Sequence, residues 1–314
     1  MADNVYVRPS TEFNRVKVAT DEIGEQDQAV HYPIYKIAYG VAGEATQVDH
    51  ATPLPVGDPW LHHAEDIILS TYGDVVSIHA KQKDLLKFGR NELVGTSPAT
   101  VMALPAGILN ETYVTTNIIT SVVSTAAGDT EEIVVEGHTT ADGGLNFVFV
   151  SQTITLTGQT AATLTTPLAR CSRAYNNNGT ELTGVISVTE TDTYTAGVPD
   201  TPAGVHLQIS AGKQQSNKAS TTMSSTDYWI ITSFYCDYLK KTAGFADVEL
   251  QVRLPGKVFR EQVTAGCSDG ARGVHNFLPY FICPKNSDIR LVATAGAAST
   301  PISGGIQGVL ASIV

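Results

Sequence analysis

Five patterns in this chain put chemically active residue types at suggestive spacings. The densest is His62-His63 beside Glu65 and Asp66, a set of metal-ligand types. Adjacent histidines on a helix point ~100° apart, so only His62 and Glu65 could share a face, and a solvated helix start is the expectation for the cluster. Gly266-Cys267-Ser268-Asp269-Gly270 matches GxSxG, the nucleophile elbow. That motif requires a strand before it, a helix after it, and then an acid and a histidine in chain order. His275 alone follows, seven residues past Ser268, and no helical pattern starts there. A polar turn between strands is the expectation. Ser210-Ala211-Gly212-Lys213 matches SxxK, yet Gly212 weakens the helix that would align the two groups, and the partner motifs SDN and KTG are missing.

The acidic pairs Glu131-Glu132 and Glu190/Asp192 are the types glycoside hydrolysis uses. Charged strand edges that block unwanted sheet pairing explain them more simply. Asp142-Gly143-Gly144 and Asp269-Gly270 resemble pieces of calcium loops but lack the repeated acids and distal Glu that a hard cation needs, so both read as turns. HExxH and GxxxxGK[ST] do not occur. Cys171, Cys236, Cys267 and Cys283 are widely spaced with no CxxC, which predicts buried free thiols rather than a zinc or redox site. The expectation is therefore no enzyme activity, no metal and no cofactor.

The elements that would position any site read as β-structure. Between Thr112 and Thr195, runs such as Ile133-Val134-Val135, Phe147-Val148-Phe149-Val150 and Val185-Ile186-Ser187-Val188 alternate with Gly-, Asn- and Asp-rich turns. This predicts a first β-sandwich over 111–200. Ala196 to Gly204 has linker composition. A second, jelly-roll-like sandwich is predicted over 201–314, starting at Val205-His206-Leu207-Gln208-Ile209. In it Val248, Leu250, Val252 and Leu254 share one face of a strand while Glu249, Gln251 and Arg253 share the other. Residues 1–60 read as an extended arm containing a hairpin, from Tyr35–Tyr39 through a turn to Thr46–Asp49, and then the extended Pro53-Leu54-Pro55-Val56. Residues 61–110 read as a mixed connector. It would hold a short helix near Leu61–Leu69 and a helical turn over Asp84–Asn91 closed by Gly89. The fold class is thus all-β: an N-terminal arm and two sandwiches.

Hydrophobic residues form 42% of the 314-residue chain, enough for a core. Charged residues form only 16%, which suits a chain that buries surface against other copies of itself. The net charge of −11 and the lack of basic clusters argue against nucleic acid. No apolar run approaches the ~18 residues of a spanning helix, and the N-terminus lacks the basic head and apolar run of a secretory signal. Synthesis and assembly in a cytoplasm are expected.

Four segments, in order, resemble structural proteins of tailed-bacteriophage virions. They are Tyr35-Lys36-Ile37-Ala38-Tyr39-Gly40 through Pro53-Leu54-Pro55-Val56, then Leu86-Lys87-Phe88-Gly89-Arg90-Asn91 followed by Thr96 to Met102, then Thr153 to Ala174, and finally Pro279 to Arg290. The resemblance implies a particle component assembled in a bacterial host. Such a component would be a capsid-surface decoration or head-fibre protein, docked on the major capsid protein by an arm including Tyr35, Ile37, Tyr39, Pro53, Leu54, Pro55 and Val56. Those residues could instead pack on the chain's own β-domain. A homotrimer is the implied assembly. The alternative is a tail adaptor, fibre or receptor-binding protein that recognises a host surface glycan, with Tyr175-Asn176-Asn177-Asn178 and Tyr228-Trp229 as sugar-contact candidates beside their plainer core or turn roles. A third reading is a polysaccharide-degrading enzyme, which would need an acidic pair facing a groove.

Overall fold

The computed structural model describes residues 83–240 and 242–312, together with four short strands nearer the N-terminus. The chain forms two units, Met1–Ser77 and Ile78–Val314. In the first, Asn4–Val7 pairs with Val16–Ala19, and Ala38–Tyr39 pairs antiparallel with Thr46–Gln47. The second pair falls inside the expected Tyr35–Asp49 hairpin. The helix expected near Leu61–Leu69, the His62/His63 cluster and the arm residues Tyr35, Ile37, Pro53, Leu54, Pro55 and Val56 lie outside the described residues. So does the side chain of Tyr39.

The second unit is all-β, as the turn-punctuated β-runs predict, and it holds two sandwiches with separate cores. One sandwich packs the four strands Ala162–Leu168, Ile119–Ser124, Ile186–Glu190 and Val205–Ile209, hydrogen-bonded in that order, on the three-stranded sheet Arg170–Asn176, Glu132–Thr139 and Val148–Thr155. Ile133, Leu156, Leu168, Ile186 and Leu207 fill its core. The other sandwich has a sheet ordered Gly273–Cys283, Asp227–Tyr238, Thr300–Ser312 and Lys83–Val94. Its facing sheet runs Ser220–Thr222, Asp288–Ala295, Phe245–Arg253 and Arg260–Ser268, with Ala99–Thr100 also on Asp288–Ala295. Trp229, Phe234, Leu250, Leu291 and Ile302 lie in this second core. Burying each such side chain contributes ~1.5–3 kcal/mol. The strand Phe245–Arg253 buries Val248, Leu250 and Val252 and leaves Glu249 and Gln251 half-exposed, the face division expected from its alternation.

The connectivity departs from the serial arrangement expected in two places. Asp84–Asn91 is no helical turn: it lies within the twelve-residue strand Lys83–Val94, which pairs along its length with Thr300–Ser312. Gly89 does not cap a helix. A Cβ there would sit 2.0 Å from the Val101 carbonyl oxygen and 2.4 Å from the Ala219 nitrogen, so the strand needs glycine for close approach of backbone. Second, Val205–Ile209 does not open the second sandwich. It pairs antiparallel with Ile186–Glu190 and completes the first. Ala196–Gly204 is therefore a tight connection inside that sandwich rather than a linker. Gly197 has φ +75°, and a Cβ on it would meet the Ser124 carbonyl oxygen at 1.9 Å. The first sandwich is thus inserted between the opening strands of the second, Lys83–Val94 and Ala99–Thr100, and its remaining strands from Ser220 onward.

Candidate functional site

Insertion means that two chain crossings join the sandwiches, and polar side chains pack where they meet. Asp288, at the start of the Asp288–Ala295 strand, is buried and accepts from both of its neighbours' guanidinium groups. Arg170 of the first sandwich donates through Nε at 2.9 Å and Nη2 at 3.3 Å, and Arg253 of the second through Nε at 3.0 Å. The Thr222 hydroxyl adds a bond at 2.7 Å. Burial pulls the Asp288 carboxyl upward, but the two guanidinium groups and the hydroxyl outweigh it and hold the carboxyl below its ordinary range. Aromatic rings cover the arginines. Arg170 lies 4.8 Å from the Phe147 centroid, Arg253 4.5 Å from Tyr113, and Arg290 3.9 Å from Phe259. Nearby, buried Lys218 pairs with Glu111 and donates to the Cys171 carbonyl at 2.5 Å, while Ser220 donates to Glu111 at 2.7 Å. Lys87 reaches across from the Lys83–Val94 strand to the Ser172 carbonyl at 3.2 Å. Burial is the main cause that drops its amine to about 8. The carboxylates of Asp288 and Glu111 are matched by cations, and the cluster is enclosed by protein groups. Their evident work is to fix one sandwich against the other.

Beside this cluster the junction opens into a cleft of about 910 Å³. One wall is the strand edge with Phe88, Arg90 and Glu92, and the other carries Arg173, Tyr175 and Gln208. The segment from Ser210 to Asn217 and residues Met102 to Leu104 complete it. Arg173 stacks on the Tyr175 ring at 4.5 Å and donates to Gln215 Oε1 at 3.2 Å. Asn176 Nδ2 and the Leu182 amide both donate to Gln214 Oε1, at 2.8 Å and 3.1 Å. Gln214 Nε2 has no partner. Arg90 pairs with Glu92 at 2.5 Å.

The chemically suggestive patterns resolve as follows. Ser268 ends the Arg260–Ser268 strand, and its amide bonds the Ala271 carbonyl in a tight turn that leads into Gly273–Cys283. Strand rather than helix follows the GxSxG sequence, so the elbow geometry is not formed. Lys213 donates its backbone amide to the Ser210 carbonyl in a turn, and this brings the SxxK segment to the cleft as lining. Asp142 Oδ1 accepts the Leu145 and Asn146 amides at 3.1 and 2.9 Å, which closes a turn and lowers its carboxyl to about 2. Glu190 Oε1 accepts from Nε2 of buried His206 at 3.0 Å, and Asp192 accepts the Thr201 amide at 2.7 Å, so that acidic pair is engaged in structure. All four cysteines are buried and free, and burial pushes the Cys171 and Cys283 thiols up to about 12. Among the described residues no three His, Cys, Asp or Glu converge as a metal site, and no helix is long and apolar enough to cross a membrane.

Of the sugar-contact candidates, Tyr175 and Asn176 do line the cleft, whereas Trp229 is wholly buried in the second core. Ser210, Gly212 and Lys213 come from the SxxK pattern, and the remaining lining residues carry no chemical pattern in the sequence. They come from four distant segments, and each of those reads alone as strand or turn.

No protein-family model and no curated protein matches this chain. A chain in "Structure of infectious bursal disease virus Gt strain" aligns over 82% of this chain and 83% of its own, at 10% identity and a TM-score of 0.16. A likeness at that level carries no argument about fold or function.

Proposed function

We propose that the chain is a non-enzymatic structural component of a tailed-phage particle, most simply a capsid-surface decoration or head-fibre protein. In this reading the segment with Tyr35, Ile37, Tyr39 and Pro53–Val56 docks on the shell and the two sandwiches project from it. The observation that carries the reading is the outward face of the four-stranded sheet in the second sandwich. Ile282, Ile230 and Val309 stand opposite one another across three strands there. Leu278 is 87% exposed, Ile282 59% and Leu86 55%. A face of this composition is what a self-associating particle protein presents before assembly. The order of the four phage-like sequence segments supports the same conclusion. Immunogold labelling of intact particles with antibody to residues 205–314 tests it. Grains over the shell are expected. Grains confined to the tail would transfer the protein to the tail, and unlabelled particles would remove it from the particle altogether.

A further inference from the structure

We infer that the cleft at the sandwich junction is a binding site for an oligosaccharide bearing carboxylate groups, such as a uronic-acid polymer. This goes beyond the particle-component reading and is tested separately from it.

Charge is the first argument. The chain as a whole carries an excess of eleven negative charges. The cleft instead gathers Arg90, Arg173 and Lys213 against the single carboxylate of Glu92, which is spent on Arg90. Arg173 is exposed and its hydrogen bond goes to a neutral amide. Lys213 is exposed, and no described group pairs with its ammonium. A local positive site on an acidic protein concentrates a short anion that fits within its reach, whereas the surrounding negative field repels a long polyanion such as nucleic acid.

The neutral lining is the second argument. Gln208, Gln214, Gln215 and Asn217 crowd one side of the cleft. Amides offer donor and acceptor together, which is what rows of sugar hydroxyls require. Gln214 is anchored by two donors to its Oε1 and its Nε2 is buried, so exposed Gln215 is the amide open to a ligand. Phe88, 38% exposed, offers a ring to the C–H face of a pyranose. The volume is that of a small-molecule site and accepts a few sugar rings, and junctions between domains are where such sites commonly form.

The reaction is binding alone, and the cleft supplies no acid–base pair for bond cleavage: Glu92 is its one carboxylate. The test is isothermal titration of the full chain with hexagalacturonate and, as the neutral control of equal length, maltohexaose. Hexagalacturonate is expected to bind at least tenfold more tightly than maltohexaose, and to weaken as salt rises from 20 to 300 mM. The double substitution R173A/K213A is expected to weaken hexagalacturonate at least tenfold with an unchanged thermal midpoint, since both side chains are exposed. K213E alone should weaken it without loss of fold. Equal binding of the two sugars, absence of hexagalacturonate binding, or unaltered affinity in both variants would each overturn the inference. None of these outcomes bears on where the protein sits on a particle.

Discussion

Lys87 is a buried side chain whose protonation the fold opposes. It projects inward from an otherwise two-faced strand, has the Ser172 carbonyl as its hydrogen-bond acceptor, and titrates at about 8 because burial disfavours the ammonium. The consequence for stability has a definite sign. Between about pH 8 and the ordinary lysine value of 10.5 the unfolded chain binds a proton that the folded chain has released, so unfolding free energy rises with pH across that window. The buried thiols act oppositely. Cys171 and Cys283 keep their protons to about 12, so above pH 9 they make stability fall. Lys87→Met isolates the first effect. Urea unfolding at pH 7.5, 8.5 and 9.0 should show stability rising with pH in the parent chain and flat or falling in the variant, which should equal or exceed the parent at pH 7.5. A parallel rise in both chains would show that the amine is not the source. Asp288 is the converse case, a buried charge fully matched by Arg170, Arg253 and Thr222. Asp288→Asn keeps the shape but strands two guanidinium groups on a neutral amide, and should cost ~3–5 kcal/mol in equilibrium unfolding. A loss under 1 kcal/mol would mean that the junction does not depend on this carboxylate.

The strand Lys83–Val94 explains both what was legible in the sequence and what was not. The all-β class was legible because runs such as Val248–Leu254 carry the period of two that a half-buried strand imposes. Lys83–Val94 inverts that rule. Between Leu85 and Val94, which pack on the core, its inward positions are Lys87, Gly89 and Asn91, while Leu86 and Phe88 face outward. An apolar-in pattern therefore misreads it, and a glycine placed for backbone contact looks like a helix stop. Ala196–Gly204 misleads for a related reason: close-packed connections and loose linkers share a taste for Gly and Pro, and only the 1.9 Å clearance at Gly197 tells them apart. The cleft was legible only as fragments, Tyr175-Asn176 and Lys213, because its walls are joined by the insertion and not by sequence proximity. The strand reading yields its own prediction. Gly89→Val forces a side chain into the Val101 and Ala219 backbones and should lower stability by about 3 kcal/mol. Gly95→Ala, where nothing lies within 4 Å, should change it by less than about 1 kcal/mol. Thermal melts of the two variants check this, and comparable effects would contradict the close approach.

At the scale of the molecule, the outward face of the Lys83–Val94 to Gly273–Cys283 sheet poses a problem that one chain does not solve. The strand Gly273–Cys283 is an edge with unpaired backbone groups on one side, and it displays Val274, Leu278, Tyr280 and Ile282 to solvent. Pro279 and a bulge blunt the middle of this edge, yet most of its exposed side chains are apolar. Association of identical copies around a closed axis removes the exposure without leaving a free edge to propagate, and so favours a small cyclic oligomer over a fibre. For a homotrimer, light scattering behind size exclusion should report three times the 33.3 kDa chain mass. The double substitution Leu278→Asp and Ile282→Asp puts two carboxylates into the interface and should shift the mass to one chain. Each side chain is more than half exposed in the single chain, so the fold should tolerate the change and the far-UV circular dichroism should be unaltered. A parent chain that runs as a monomer at micromolar concentration would end the self-association argument and leave this face for a different protein. A variant that stays oligomeric would move the contact to another surface, with the outward face of Val148–Thr155, where Phe149 is half exposed, as the next to test.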